Sequence, residues 1–430
     1  VSEPNIFVVG LDEANVETLR DIPHAGEYRF HPLLGVDELQ RGEIPVADLI
    51  TKATEQLDAF DGTIDAIVGY WDFPVSTMVP ILCARYDLRS ASLESVVKCE
   101  HKYWSRLEQR KVLDEHPRFA LVELDGEPRK PDGLRYPLWL KPVKSFSSEL
   151  AFKVRDDEEF RAAVGEIRDG ITRVGRPFEY ILDQLELPPE IEEAGGQACL
   201  AEEALSGQQA ATEGYVFDGQ VVVYGVLDSI NYPGRSSFLR HQYPSQLPEE
   251  MTDRLRDLSE RAIRQIGLNW TTFSIEFFCD PEAGEVNLLE INPRHSQSHA
   301  EMFEYVDGFP NHHCVVSVAL GKDPRLPHRQ GEYGIAAKCY YRRFADGVVR
   351  RVPTGEEIDR LRRELPGVKV DVVPREGERL SDMPAQDSYS YELADVFVGA
   401  SDEPELIAKY ERAVSALHFE FDDTDEEEEG

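Results

Sequence analysis

The 430-residue sequence predicts a multidomain chain of α/β and α+β architecture. Its length, at about 100 to 200 residues per domain, allows two to four domains. Its opening alternates buried-strand and helix patterns, and from about residue 333 it reads as a β-rich unit closed by a helix. A hydrophobic fraction of 41% and an aromatic fraction of 10% are those of globular protein, which excludes disorder or a fibrous repeat for the bulk of the chain.

Residues 5–10 (NIFVVG) form a buried-strand pattern closed by glycine, 46–60 a helix, 65–69 (DAIVG) a second strand and 75–86 a second helix. Residues 1–95 therefore read as a small doubly wound α/β domain. No G-x-G-x-x-G follows the first strand, which argues against a dinucleotide site there. Residues 92–113 read as one helix, with capping chemistry at Ser92, Glu94 and Ser95. A strand is expected at 138–144 with an antiparallel return at 149–154, then an acidic helix at 156–168 and a loop or short-strand region at 181–196. Strands at 199–205, 214–217 and 220–228 follow, the last two joined by the hairpin signal Asp218-Gly219. A long charged helix at 248–266 precedes a strand pair, 272–280 and 285–292. The closing unit ends in a helix at 403–417 and a strand-like 419–421. The stretch 422–430, nearly all Asp and Glu, is expected to be disordered.

Asp and Glu number 82 against 46 Lys and Arg, a net charge of -36 that repels nucleic-acid phosphate and anionic membrane alike. No apolar run approaches the ~18 to 20 residues of a membrane span, and the N-terminus shows no basic and apolar signal segment, so a cytoplasmic location is expected. An acid-rich surface with only 12 lysines suits a salt-rich, halophilic cytoplasm that screens self-repulsion. The melting temperature should accordingly rise with KCl; no stabilisation up to molar salt would remove this reading. The six cysteines (Cys83, Cys99, Cys199, Cys279, Cys314, Cys339) contain no C-x-x-C pair and read as reduced core residues.

Seven of the 12 lysines (Lys98, Lys102, Lys111, Lys130, Lys141, Lys144, Lys153) fall between residues 98 and 153, and none between 154 and 321. Ammonium groups suit a polyphosphate, although a solvated face offsetting nearby acid accounts for them equally well. In FSIEFFCDPEAGEVNLLEINPRHSQSH, Glu276 sits on one strand and Glu290 and Asn292 on the next, two apart and so on one face. Two carboxylates and an amide suit magnesium, which completes its octahedron with phosphate and water. The alternative is a pair of edge-strand surface acids, against which stand Leu288, Leu289 and Ile291 around them.

With these motifs the sequence resembles the ATP-grasp superfamily over roughly residues 60–420. CEHKYWSRLEQRKVL is similar to the family helix whose lysine reaches the nucleotide phosphates, which implies that role for Lys102. KPVKSFSSELAFKV resembles the second-lysine strand and phosphate loop, implying Lys141 as clamp with Ser147 and Ser148 in the loop. AEEALSGQQ resembles the hinge, where Glu202, Glu203 and Leu205 would line the adenine. LLEINPR with Glu276 implies a magnesium site (manganese could replace it) at Glu276, Glu290 and Asn292, with Arg294 holding the transferring phosphate or the substrate. The chain departs from the pattern at Phe146, Glu149 and Leu150, where relatives have glycine, and at Gln209, where relatives such as D-alanine:D-alanine ligase have a ribose-binding glutamate.

The resemblance implies an ATP-grasp fold with an N-terminal α/β domain (1–95), a grasp domain (96–320, lid lobe about 115–200), a C-terminal α+β domain (321–421) and the acidic tail (422–430). It implies an ATP-dependent carboxylate-amine ligase that releases ADP. A biotin-carboxylase-like enzyme and a non-catalytic ATP-binding regulator are the alternatives. Arg235, Arg240, His241, His295 and His299 gather cationic and hydrogen-bonding groups for a carboxylate-bearing substrate; a basic loop paired with surface acid has equal weight. The expected partners are small molecules rather than nucleic acid or membrane, and a homodimer is compatible with all of this.

Overall fold

The computed structural model describes residues 3–40, 42–145, 150–383 and 390–422. Ser147 and Ser148, with Phe146 and Glu149 beside them, lie outside the described residues, as do residues 423–430 of the acidic stretch. Asp422, expected in that tail, ends the strand Glu420–Asp422, which pairs with Val348–Arg351.

The N-terminal sheet is parallel, in the order Arg29–Leu33, Asn5–Val9, Ala66–Val68. Its central strand is apolar and buried from Ile6 to Val9 because both faces are covered. Ile6 and Val8 pack with Leu19, Val315 and Val316, while Phe7 and Val9 pack with Leu49, Ala53 and Leu57 of the helix Val46–Asp58. Arg29–Leu33 was not expected. It buries only Leu33 and contains Pro32, which an edge strand paired on one side tolerates.

The helix expected over 92–113 is two, Leu93–Glu100 and Lys102–Gln109. His101 between them is extended (φ -84, ψ 99), and its Nδ1 accepts from the Trp104 amide at 3.2 Å, capping the second helix. Its other ring nitrogen meets the Gly195 carbonyl at 2.9 Å, and the Lys102 amide donates to the Val143 carbonyl at 2.8 Å. The break thus makes Lys102 the first residue of a helix.

An antiparallel four-stranded sheet follows, ordered Phe119–Val122, Cys199–Glu203, Leu138–Pro142, Phe152–Val154, with Phe160, Val164 and Ile167 of the helix Asp157–Gly170 in its core. The region expected as loop or short strand at 181–196 instead takes the end of the helix Thr172–Leu182 and the helix Pro189–Ala194. Val174, Phe178, Ile181 and Leu182, at helical spacing, bury that stretch, although Gly175 and Pro177 interrupt its propensity.

Glu285–Asn292, Thr271–Asp280 and Gln208–Phe217 form successive antiparallel pairs, with Leu255, Leu258 and Ile263 of the helix Glu249–Ile266 packed on Phe273, Ile275 and Phe277. Asp218 and Gly219 both have positive φ (47 and 77), as a tight hairpin turn requires. Gly214 allows close strand packing. A Cβ there would lie 2.2 Å from the Phe273 ring and 2.6 Å from the Val222 carbonyl oxygen. Gly214→Ala should cost about 1 to 3 kcal/mol in urea unfolding.

The chain folds as two units, and the second is not simply the expected 321–421. It comprises Leu227–Gln246, Ser298–Asn311 and the residues from Leu326, while His312–Arg325 belongs to the first. Within the second unit, Phe238–Tyr243, Ile335–Arg343, Tyr391–Ala400 and Val368–Val372 form antiparallel neighbours. One face packs Ala337, Cys339, Val396 and Val398 against Leu361 and Leu406 of the helices Gly355–Glu364 and Glu403–Ala416.

All six cysteines are buried and unpaired, and no helix among the described residues is long and apolar enough to cross a membrane. Burial pushes His312 down to about 3 and His101 to about 4, the Gly195 hydrogen bond opposing the shift at His101. An unfolded imidazole protonates near 6.5, so below that pH the unfolded chain takes up protons that the folded one refuses. Stability should therefore fall between pH 6.5 and 5, by about 1 to 2 kcal/mol for each histidine. His312→Gln should flatten the slope of the urea midpoint against pH.

Candidate active site

The strands Thr271–Asp280 and Glu285–Asn292 set Glu276 directly opposite Glu290, and Ser274 opposite Asn292. A register shift immediately beyond Glu276 leaves Leu289 unpaired, a bulge beside the two carboxylates. The Asn292 amide donates to Glu276 Oε1 at 3.4 Å, and Glu290 Oε1 receives Lys102 Nζ at 2.6 Å. Burial, then the facing Glu290, raises the Glu276 carboxyl above its usual range. Burial works the same way on Glu290, but Lys102 and then Lys141 outweigh it and hold that carboxyl low. The Glu290 side chain is 36% exposed, so its outer side is open to solvent.

Among the described residues, no group of three or more His, Cys, Asp and Glu side chains is gathered to hold a metal. Two partly buried carboxylates, Glu290 open to solvent on its outer side, and an amide are instead the oxygen donor set that magnesium takes, so the residues fit that ion.

The lysine cluster divides. Lys102, Lys141 and Lys144 turn inward, onto Glu290, Glu202 (2.6 Å) and Glu100 respectively. Lys98 and Lys111 pair with acids on their own helical segment, Glu94 and Glu108, and Lys153 is exposed. The solvated-face reading describes Lys111 and Lys153, whereas Lys98, its side chain 18% exposed, lies over the Trp104 ring. Lys102, Arg106, Lys141, Glu202, Leu289 and Glu290 line one recess.

Glu202 is buried. Burial alone would raise its carboxyl, but Arg106 and Lys141 pull it down to about 2. Glu203, next in the strand, accepts from the Arg135 amide at 2.9 Å, and Leu205 and Gln209 are half-buried. Leu150 adopts φ 55, a conformation that glycine takes most readily.

Three residues escaped the sequence reading. Arg106 is 2% exposed and donates to Glu202 (2.6 Å), Gln109 (2.6 Å) and the carbonyls of Leu288 (3.1 Å) and Leu289 (2.6 Å), the latter in the bulge. Asp72 binds Arg294 through Nε at 2.8 Å and Nη2 at 2.6 Å. Its one signal in the sequence is an acid in the turn after a parallel strand, where α/β sheets place ligands. Buried Glu213 accepts from the Ser296 amide at 3.0 Å and from the Tyr224 hydroxyl at 3.2 Å.

The cationic set does not form one group. Arg240 and His241 are strand neighbours and point to opposite faces. Arg240 bonds Gln242 (2.8 Å) and Glu403 (3.1 Å), whereas His241 meets Ser229 at 2.8 Å and stacks edge-on to His299, ring centres 5.2 Å apart. Arg235 lies over the Phe344 ring at 3.9 Å. His295 is fully buried against Tyr70, His312 and Thr272, which removes it from any solute's reach.

The chain contains an ATP-grasp domain, matched by that family's model over residues 134–300, and has the ATP-grasp fold. Over 79 residues it is 35% identical to the carbamoyl phosphate synthase large chain of Xylella fastidiosa, a match spanning 18% of this chain and 7% of that one. An L-amino acid ligase from Bacillus licheniformis superposes with a TM-score of 0.72 at 16% identity, covering 98% of this chain and 100% of the other. The biotin carboxylase domain of Hydrogenobacter thermophilus 2-oxoglutarate carboxylase, solved with MgADP, ADP and bicarbonate, gives 0.63 at 16% identity, covering 97% and 90%. Such enzymes are typically ATP-dependent ligases and carboxylases.

Proposed function

We propose that the protein is an ATP-dependent carboxylate-amine ligase that forms an amide or peptide-like bond through an acyl phosphate. The observation that carries this reading is the opposition of Glu276 and Glu290 with Lys102 Nζ 2.6 Å from Glu290. Lys102 and Lys141 act as point charges on the ATP phosphates, and Glu203 and Leu205 lie on the hinge that faces the adenine. Glu276, Glu290 and Asn292 hold magnesium, which supplies neutralising charge at the transferring phosphoryl group. Arg294, its plane set by Asp72, orients the phosphoryl group or the substrate carboxylate. A carboxylate oxygen attacks the γ-phosphorus and ADP leaves; the amine nitrogen then attacks the acyl carbon, loses a proton, and phosphate leaves. The L-amino acid ligase among the structural relatives supports this choice of reaction.

The biotin carboxylase relative, solved with bicarbonate, supports a second reading, a carboxylase acting on that anion. ADP release should be measured against pairs of amino acids, bicarbonate, and no co-substrate. ADP with a ligated product by mass supports the ligase. ADP with bicarbonate alone moves the assignment to the carboxylase. ATP binding without ADP under any condition makes the chain a nucleotide-binding regulator.

A further inference from the structure

Lys102 and Lys141 are both held on carboxylates, and the two carboxylates differ in what remains when the lysine leaves. Lys141 Nζ lies 2.6 Å from Glu202 Oε2. Glu202 also holds Arg106 Nε at 2.6 Å, a guanidinium fixed in place by Gln109 and two backbone carbonyls. If Lys141 moves to a phosphate, Glu202 stays paired.

Glu290 has no such second hydrogen-bonded cation, although Lys141 and Lys144 attract it through space. Among the described residues, Lys102 is the one side chain hydrogen-bonded to it, and the residue facing it across the strands is another carboxylate, Glu276. When Lys102 moves to a phosphate, two facing carboxylates lose their one directly paired cation and keep only the longer-range attraction of Lys141 and Arg294, which is unfavourable in a partly desolvated setting until a divalent ion arrives. In the reverse order, an ion arriving without nucleotide must displace Lys102. Among the described residues the ammonium then keeps one hydrogen-bond acceptor, the Ser145 carbonyl 3.3 Å away, with Glu100 and Glu202 attracting it only through space.

We propose that Lys102 is an internal counter-ion that Glu290 exchanges for the metal, so that metal and nucleotide bind as a coupled pair, and that Lys141, paired directly with Glu202 and reaching Glu290 only through space, has a much smaller part in this coupling. The inference rests on the magnesium and phosphate roles proposed above, and adds the exchange between them. Linkage makes it reciprocal: whatever factor the nucleotide adds to metal affinity, the metal adds to nucleotide affinity.

The test is binding, not turnover. Free manganese would be titrated by electron paramagnetic resonance against wild type, Lys102→Met and Lys141→Met without nucleotide, with thermal melts to confirm folding. Lys102→Met should bind Mn2+ at least about tenfold more tightly than wild type, and Lys141→Met should gain much less. Glu290→Gln frees Lys102, so its affinity for ATP in EDTA, measured by calorimetry, should rise severalfold; this arm decides the matter if Lys102→Met does not fold. Unchanged Mn2+ affinity in a folded Lys102→Met, an equal gain in Lys141→Met, or unchanged metal-free ATP affinity in Glu290→Gln would overturn the exchange. If wild type binds Mn2+ with nucleotide while Lys102→Met behaves as wild type, the exchange fails and the ligase reading stands. No Mn2+ binding to any protein, with or without ATP, overturns both.

Discussion

Glu290→Gln should lower turnover about 10³-fold or more, some 4 kcal/mol of barrier, in a protein that remains folded. Glutamine keeps the length and the strand hydrogen bonds of Glu290 but removes the charge that faces Glu276 and holds Lys102. The fold should survive because the side chain is half-exposed and lies outside the apolar core formed by Leu288, Ile291 and Phe277. ADP release and a thermal melt on the same preparation check both halves. Wild-type turnover in a folded variant would remove the metal role and return Glu276 and Glu290 to surface acids.

Arg106→Met should produce the largest loss of stability of any single change in the site, about 3 to 5 kcal/mol in urea unfolding. The substitution leaves Glu202 buried with only Lys141, and strips donors from the carbonyls of Leu288 and Leu289. The pH dependence gives a second readout. Glu202 is held at about 2 when folded against 4.5 as its ordinary value, so its contribution is present above about pH 4.5 and is lost as pH falls towards 2. In Arg106→Met this acid-range slope should shrink. Removing both charges, Arg106→Met with Glu202→Leu, should restore much of the loss, because an apolar pair carries no uncompensated buried charge. A double variant as unstable as the single would place the cost in the bulge carbonyls instead.

The parts legible in the sequence were those written in short-range periodicity. Strand alternation put Glu290 and Asn292 on one face, and the turn at 281–284 paired their strand with that of Glu276; the register that sets Glu276 opposite Glu290 comes from the bulge at Leu289, which alternation does not show. The apolar run of Asn5–Val9 announced a strand covered on both sides, and the charged amphipathic stretch announced Glu249–Ile266. Where periodicity was weak the reading failed. Arg29–Leu33 has one buried residue, and the break at His101 depends on a carbonyl at Gly195 and another at Val143. The grouping of Arg240 with His241 failed for a different reason, since adjacent strand residues face apart whatever their charge.

By itself, then, the sequence determined the shared face of Glu290 and Asn292, the clustering of lysines between 98 and 153 and the alternation that builds both sheets, because each is a relation among residues near one another in the chain. Only the tertiary structure decided which acid each cation answers. Arg106 finds Glu202 across 96 positions and the bulge carbonyl of Leu289 across 183, Lys102 finds Glu290 across 188, and Asp72 fixes Arg294 across 222. Charge is long-ranged and carries no register of its own, so these pairings follow from the packing that brings the elements together, and no local pattern encodes them.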